Sequence, residues 1–238
     1  MDNRQKEDKL FNSLKHPNEN HSDEISKLID KTIRSGNKVY LMTDWHLWMR
    51  KEKNKPECYQ RSNFNEIINN MKVIKNDDLL IYMGDMVDGE FQDQESLKNV
   101  LLPMNFKKIL VMGNNDLFSP VFYKSCGFDY VVQSFTWNNI LFTHIPIRHS
   151  YDLAIHGHIH GYKTYWCPYN KHIDVAFLEG RTKPVELLSI IKAQPRYSKL
   201  IKECPEHFNE YVAINNKFDA VMYDYINMMK QVEDPFSD

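Results

Sequence analysis

Three histidines stand at every second position in Ile155-His156-Gly157-His158-Ile159-His160-Gly161. In an extended backbone, side chains at i, i+2 and i+4 leave from one face. Imidazole nitrogen is the commonest protein ligand for transition metals. The run can therefore present His158 and His160 together, to one metal ion or to two adjacent ones. Taken alone, it reads equally well as polar side chains on a strand edge. Residues upstream shift that balance. Asp44-Trp45-His46 sets a carboxylate and an imidazole two apart, again on one side of an extended chain. Asp85 follows Gly84, Asn114 follows Gly113, and His144 follows Thr143. Together Asp44, His46, Asp85, Asn114, His144, His158 and His160 supply two carboxylates, one amide oxygen and four imidazoles. Divalent manganese, iron or zinc suits that mixture better than magnesium or calcium, which prefer all-oxygen shells.

These residues need elements that bring them together. Lys38–Thr43, Leu79–Met83 and Lys108–Met112 are short apolar runs, and each leads into one of the polar candidates. Helical spacing separates them, at Asn63–Lys75 and Gln94–Leu101, and another short helix is expected near Pro120–Lys124. This alternation predicts a largely parallel sheet, in which ligands gather at the carboxyl ends of the strands. Before it, Ser22-Asp23-Glu24 opens a helix with Ile25, Leu28, Ile29 and Ile33 on one stripe, stopped at Ser35-Gly36-Asn37.

The second half changes character. Tyr130–Trp137, Ile140–Thr143, Asp152–His156, Tyr162–Trp166, His172–Phe177 and Val185–Ile191 read as short strands of a second, mostly antiparallel sheet. From Pro195 the chain turns charged and helical, with a Met and aromatic stripe from Phe208 to Met229 that reads as a packing face. The expected organisation is a leader and helix over 1–37, one α/β domain over 38–191, and a helical extension over 192–238.

Composition narrows the classes of function. A chain of 238 residues that is 42% apolar can bury a real core. A net charge of -2 gives no general affinity for long nucleic acid. The four cysteines, Cys58, Cys126, Cys167 and Cys204, form no CxxC pair and suggest reduced thiols. The charged N-terminus has no signal-type apolar core, and no apolar run reaches the ~20 residues that span a bilayer. A soluble, cytoplasmic protein with no membrane association is expected.

At this point the sequence resembles the calcineurin-like metallophosphoesterase superfamily, in its small bacterial and phage-type branch. The family pattern is D-x-H, GD, GNH[D/E], a lone H, and GHxH. Here it reads Asp44-Trp45-His46, Gly84-Asp85, Gly113-Asn114-Asn115-Asp116, His144 and Gly157-His158-Ile159-His160. The resemblance implies an α/β/β/α sandwich of two mixed sheets flanked by helices. It implies two divalent metal ions, manganese first, with iron and zinc as the alternatives. Asp44, His46 and His160 would hold one, Asn114, His144 and His158 the other, and Asp85 would bridge them. A hydroxide activated by the pair would attack phosphorus.

One departure stands out. The family has histidine where this chain has Asn115, and an amide can donate a hydrogen bond to phosphate but cannot deliver a proton. Weaker turnover of esters with poor leaving groups follows. His149, His156 and a metal-bound water are candidate replacements as proton donor, and Arg148 is a candidate phosphate ligand. Asp116 matches the family's acidic position and would fix its neighbours. The expected substrate is a small phosphate ester or nucleotide, phosphodiesters foremost. The alternative is a catalytically weak scaffold of the same fold that binds a protein partner, for which the C-terminal helices are one route.

Overall fold

The computed structural model describes residues 19–47, 64–87, 93–146, 151–158, 166–167, 172–176 and 180–192. The leader over 1–18, most of the C-terminal extension, and His149, Arg148 and His160 lie outside the described residues.

Two five-stranded sheets face each other. The first has the order β10 (Val185–Glu186), β1 (Val39–Met42), β2 (Leu79–Tyr82), β3 (Lys107–Val111), β4 (Tyr130–Val132). β1 to β4 run parallel, and β10 pairs antiparallel with β1 at the edge. β10 joins this sheet and not the second, where Val185–Ile191 is expected; β1, β2 and β3 are the strands the apolar runs predict. Their continuous apolar character has a physical reason, because both faces of the sheet are covered. Val39, Leu41, Leu79, Ile81, Ile109 and Val111 point toward the second sheet. Tyr40, Met42, Leu80, Tyr82 and Leu110 point the other way, against Ile67 and Met71 of α2 (Phe64–Met71) and Leu97 and Leu101 of α3 (Gln94–Leu101). Asp93 caps α3 by accepting from Ser96 N. Ser119 caps α4 (Pro120–Ser125), and Pro120 sits in the first turn, where its missing N–H matters least. α1 (Glu19–Arg34) begins three residues before the expected start at Ser22 and buries Ile25 and Ile29 in the inter-sheet core.

The second sheet has the order β5 (Ser134–Trp137), β6 (Ile140–Thr143), β7 (Leu153–His156), β9 (His172–Asp174), β8 (Trp166–Cys167). It corrects the antiparallel expectation. β5–β6 and β8–β9 are antiparallel, but β6–β7 and β7–β9 are parallel, so the sheet is mixed. Parallel pairing needs a long connection, and a run of short strands without helical signals concealed it. Tyr130–Trp137 is not one strand. It breaks at Gln133, placing β4 in the first sheet and β5 in the second. Val185–Ile191 is also corrected: only the first two residues are strand, and 187–192 are helical, with Leu187 and Ile190 buried. No helix among the described residues is long and apolar enough to cross a membrane.

Candidate metal centre

The carboxyl ends of β1, β2 and β3 meet the ends of β6 and β7 at one rim of the sandwich. Asp44 and His46 follow β1, Asp85 follows β2, Asn114 follows β3, His144 follows β6 and His158 follows β7. Asp44, His46 and Asp85 form one group whose possible ligand atoms lie within 4.8 Å of one another, and Asp85, His144 and His158 form a second. Asp85 belongs to both. Its Oδ2 is 3.7 Å from His46 Nε2, and its Oδ1 is 3.3 Å from His144 Nε2. His46 Nε2 is also 3.7 Å from Asp44 Oδ1. Asn114 Oδ1 lies 3.2 Å from His144 Nε2, and the rings of His144 and His158 are 5.1 Å apart.

The backbone that delivers these side chains is not extended. Asp44, His46, Asp85 and His158 have φ of 52°, 46°, 58° and 71°. All four lie in the left-handed region, which costs a residue with a Cβ roughly 1–2 kcal/mol. The alternation expected along Asp44–His46 and from His156 to His158 is therefore corrected: turns, not strand faces, aim these side chains. His156 still belongs to β7. It is buried against His172 at 5.4 Å between ring centroids, and its Nδ1–H donates to Gly157 O at 2.8 Å.

Hydrogen bonds hold several of these candidate ligands in place. Asp44 accepts from Thr43 Oγ1–H at 2.7 Å, and the His158 N–H lies 3.0 and 3.2 Å from its two oxygens. That contact ties the two halves of the site together. His144 Nδ1–H donates to Met83 O at 2.6 Å, so Nε2 is the nitrogen turned toward Asp85 and Asn114. Asp116 accepts from Asp85 N and Gly113 N at Oδ2 and from Met86 N at Oδ1, at 2.8–3.0 Å. Asn115 donates to Asp85 twice, from N to Oδ1 at 2.9 Å and from Nδ2 to Oδ2 at 2.7 Å. The side-chain amide of Asn115 thus reaches the Asp85 carboxylate beside its own backbone N–H.

Close approach explains two glycines. A Cβ on Gly84, which has φ 97°, would lie 2.6 Å from His144 Nδ1 and 2.7 Å from Gly113 N. A Cβ on Gly157 would overlap Thr43 Oγ1 and lie 2.6 Å from Asp44 Oδ2.

Three positioning groups escaped the sequence. Tyr82 OH accepts from Trp45 N at 2.9 Å and donates toward Asp85 O at 3.4 Å. Thr43 holds Asp44, as above. Arg181 Nε–H donates to Asp44 O at 3.1 Å. For Tyr82 and Thr43 the available signal was a hydroxyl inside or beside an apolar run just ahead of a candidate ligand.

The electrostatics follow from burial and mutual charge. Burial raises the Asp85 carboxyl, but the charge and hydrogen bond of His144, with the charge of His46, outweigh it and hold the group below the usual range. Burial would lower His144, yet Asp85 raises it to about 10. Burial first, then the charge of Asp85, lifts Asp116 to about 6. Burial takes His156 down to about 4, so near pH 7 it is neutral.

Asp44 and Asp85 are buried carboxylates. Buried charges are paired or coordinate metals, and here imidazoles and an amide oxygen converge on them. This donor set fits divalent transition-metal ions.

Residues 37–223 match the family model of the calcineurin-like phosphoesterases. No curated protein matches the chain. Among solved structures, the chain is similar to a protein of unknown function from Aquifex aeolicus. That likeness has 23% identity over 65% of this chain and 98% of the other, with a TM-score of 0.46. It is also similar to a nuclease from Pseudomonas putida, at 17% identity over 51% of this chain and 60% of the other, with a TM-score of 0.35.

Proposed function

Because the chain belongs to the calcineurin-like phosphoesterase family, we propose that it hydrolyses small phosphate esters or nucleotides, phosphodiesters ahead of monoesters, with two divalent metal ions. Manganese is the first choice, with iron or zinc as alternatives. One observation carries the reading: the Asp85 carboxylate turns one oxygen toward His46 and the other toward His144. A carboxylate so shared is suited to bridging two ions. Asp44 and His46, with His160, would hold the first, and Asn114, His144 and His158 the second.

When bound, such a pair supplies Lewis acidity toward phosphoryl oxygens and lowers the pKa of water. The protein's own residues set the rest. Asp44, Asp85 and the imidazoles fix where the ions and the phosphate meet. Asp116 holds the turn of Asp85 through its backbone N–H groups. Asn115 cannot donate a proton to a departing oxygen, and buried His156 is neutral near pH 7. The leaving group therefore departs as an anion unless His149 or a water held by the metal pair would protonate it. Aryl and other acidic leaving groups are favoured over alkyl ones, since general acid catalysis is worth about 10²–10⁴-fold.

Elemental analysis of the purified protein, with hydrolysis of bis(p-nitrophenyl) phosphate against p-nitrophenyl phosphate in added Mn²⁺, tests this. Two metals per chain with faster diester hydrolysis is the expected result. Protein that takes up no manganese, iron or zinc refutes the reading. Bound metal with hydrolysis of neither ester would favour a non-catalytic binding fold, consistent with the missing family histidine.

A further inference from the structure

Asn115 directly follows Asn114 on the turn after β3, where the family pattern has a histidine. Its two donors reach the two oxygens of one carboxylate, N to Asp85 Oδ1 and Nδ2 to Asp85 Oδ2. A carboxylate oxygen offers about two lone-pair sites. With one on each oxygen taken by residue 115, the remaining acceptor capacity of Oδ1 serves the His144 side, and that of Oδ2 serves the His46 side. Turning the carboxylate about its Cβ–Cγ bond would break both contacts together. The neighbouring Asp116 accepts the Asp85 N–H, so consecutive residues hold Asp85 by its side chain and by its backbone. Asp85 also has φ 58°, a conformation that persists only when its surroundings impose it. A histidine at 115 would retain the backbone donor but lacks a short side-chain amide to reach the second oxygen.

We infer that Asn115 is a positioning residue that clamps Asp85 across both carboxylate oxygens, holding one toward each metal position, where other family members place a proton donor. This rests on the dinuclear reading above. Assembly of the metal pair in this chain depends on residue 115, and the chain gives up acid catalysis for a rigid bridge.

The test uses the full chain and two variants, Asn115→Ala and Asn115→His, the second because the family fold accommodates it. Manganese binding is measured calorimetrically, and exchange coupling between the two Mn²⁺ ions by low-temperature EPR. Wild type is expected to bind two ions with a coupled spectrum. In Asn115→Ala the second ion should bind about 10–100-fold more weakly, the range seen when an outer hydrogen-bond partner of a ligand is removed, and its coupled spectrum should vanish at stoichiometric metal. Asn115→His, the residue that accompanies a metal pair in the family pattern, should fall between Asn115→Ala and wild type. Circular dichroism of the metal-free proteins checks that each variant folds. Variants that bind both ions with wild-type affinity and an unchanged coupled spectrum overturn the inference alone. Wild-type protein that binds no manganese refutes the dinuclear reading and this inference with it.

Discussion

Replacing Tyr82 by Phe removes one oxygen and leaves the rest of the β2 side chain in place. That oxygen is the acceptor for Trp45 N–H at 2.9 Å, between the candidate ligands Asp44 and His46. It also donates toward Asp85 O at 3.4 Å. The second loss is minor, because the bond is long and Asp85 O also accepts from His46 N at 3.1 Å. The first is not. Tyr82 is fully buried and Trp45 is 1% exposed, so water cannot easily take the vacated place. An orphaned buried N–H costs about 1–3 kcal/mol. In a chain of this size, 2 kcal/mol corresponds to a Tm shift of about 4–8 °C. Urea unfolding of the metal-free protein reads this directly. A second readout follows from where the bond sits. Without it the Asp44–His46 turn loosens, and Mn²⁺ affinity should fall about 10-fold or more. If Tyr82→Phe unfolds within 0.5 kcal/mol of wild type and binds Mn²⁺ equally well, the hydroxyl is not the tie between the two turns.

Two further outcomes are expected. Gly157→Ala drives a Cβ into Thr43 Oγ1 and the Asp44 carboxylate. Overpacking of this kind costs about 1–3 kcal/mol, and calorimetry should show weaker Mn²⁺ binding; wild-type binding would mean the turn yields without moving Asp44. His156 has a folded pKa depressed to about 4 from 6.5. Between those values the unfolded chain binds more protons, so this group's contribution is present above pH 6.5 and is lost as pH falls to 4. It amounts to about 3 kcal/mol. The stability gap between wild type and His156→Gln should therefore narrow across that window in urea titrations, and a gap independent of pH would show that His156 is not held neutral.

The first sheet was legible because its strands are buried on both faces, which leaves uninterrupted apolar runs such as Leu79–Tyr82. The ends of those runs located Asp44, Asp85 and Asn114. The second sheet was less legible. Its strands are two to four residues long, and pairing direction leaves no local trace. The helical turn at 187–192 was available in principle, since Leu187, Ile190 and Ile191 follow i, i+3, i+4 spacing. The aim of each ligand could not be read at all. A strand period places His156 with His158, but a left-handed φ at His158 separates their surroundings. The Asn115 contacts depend on a turn braced by Asp116, thirty-one residues from the Asp85 N–H that it accepts.

The left-handed quartet at Asp44, His46, Asp85 and His158 sets durability against chemistry. Glycine at any of them would relax the local backbone by about 1 kcal/mol while deleting a donor. A laboratory lineage screened for heat resistance alone would thus be drawn to dismantle the centre first. Only a simultaneous demand on the site itself would keep these four side chains where they are.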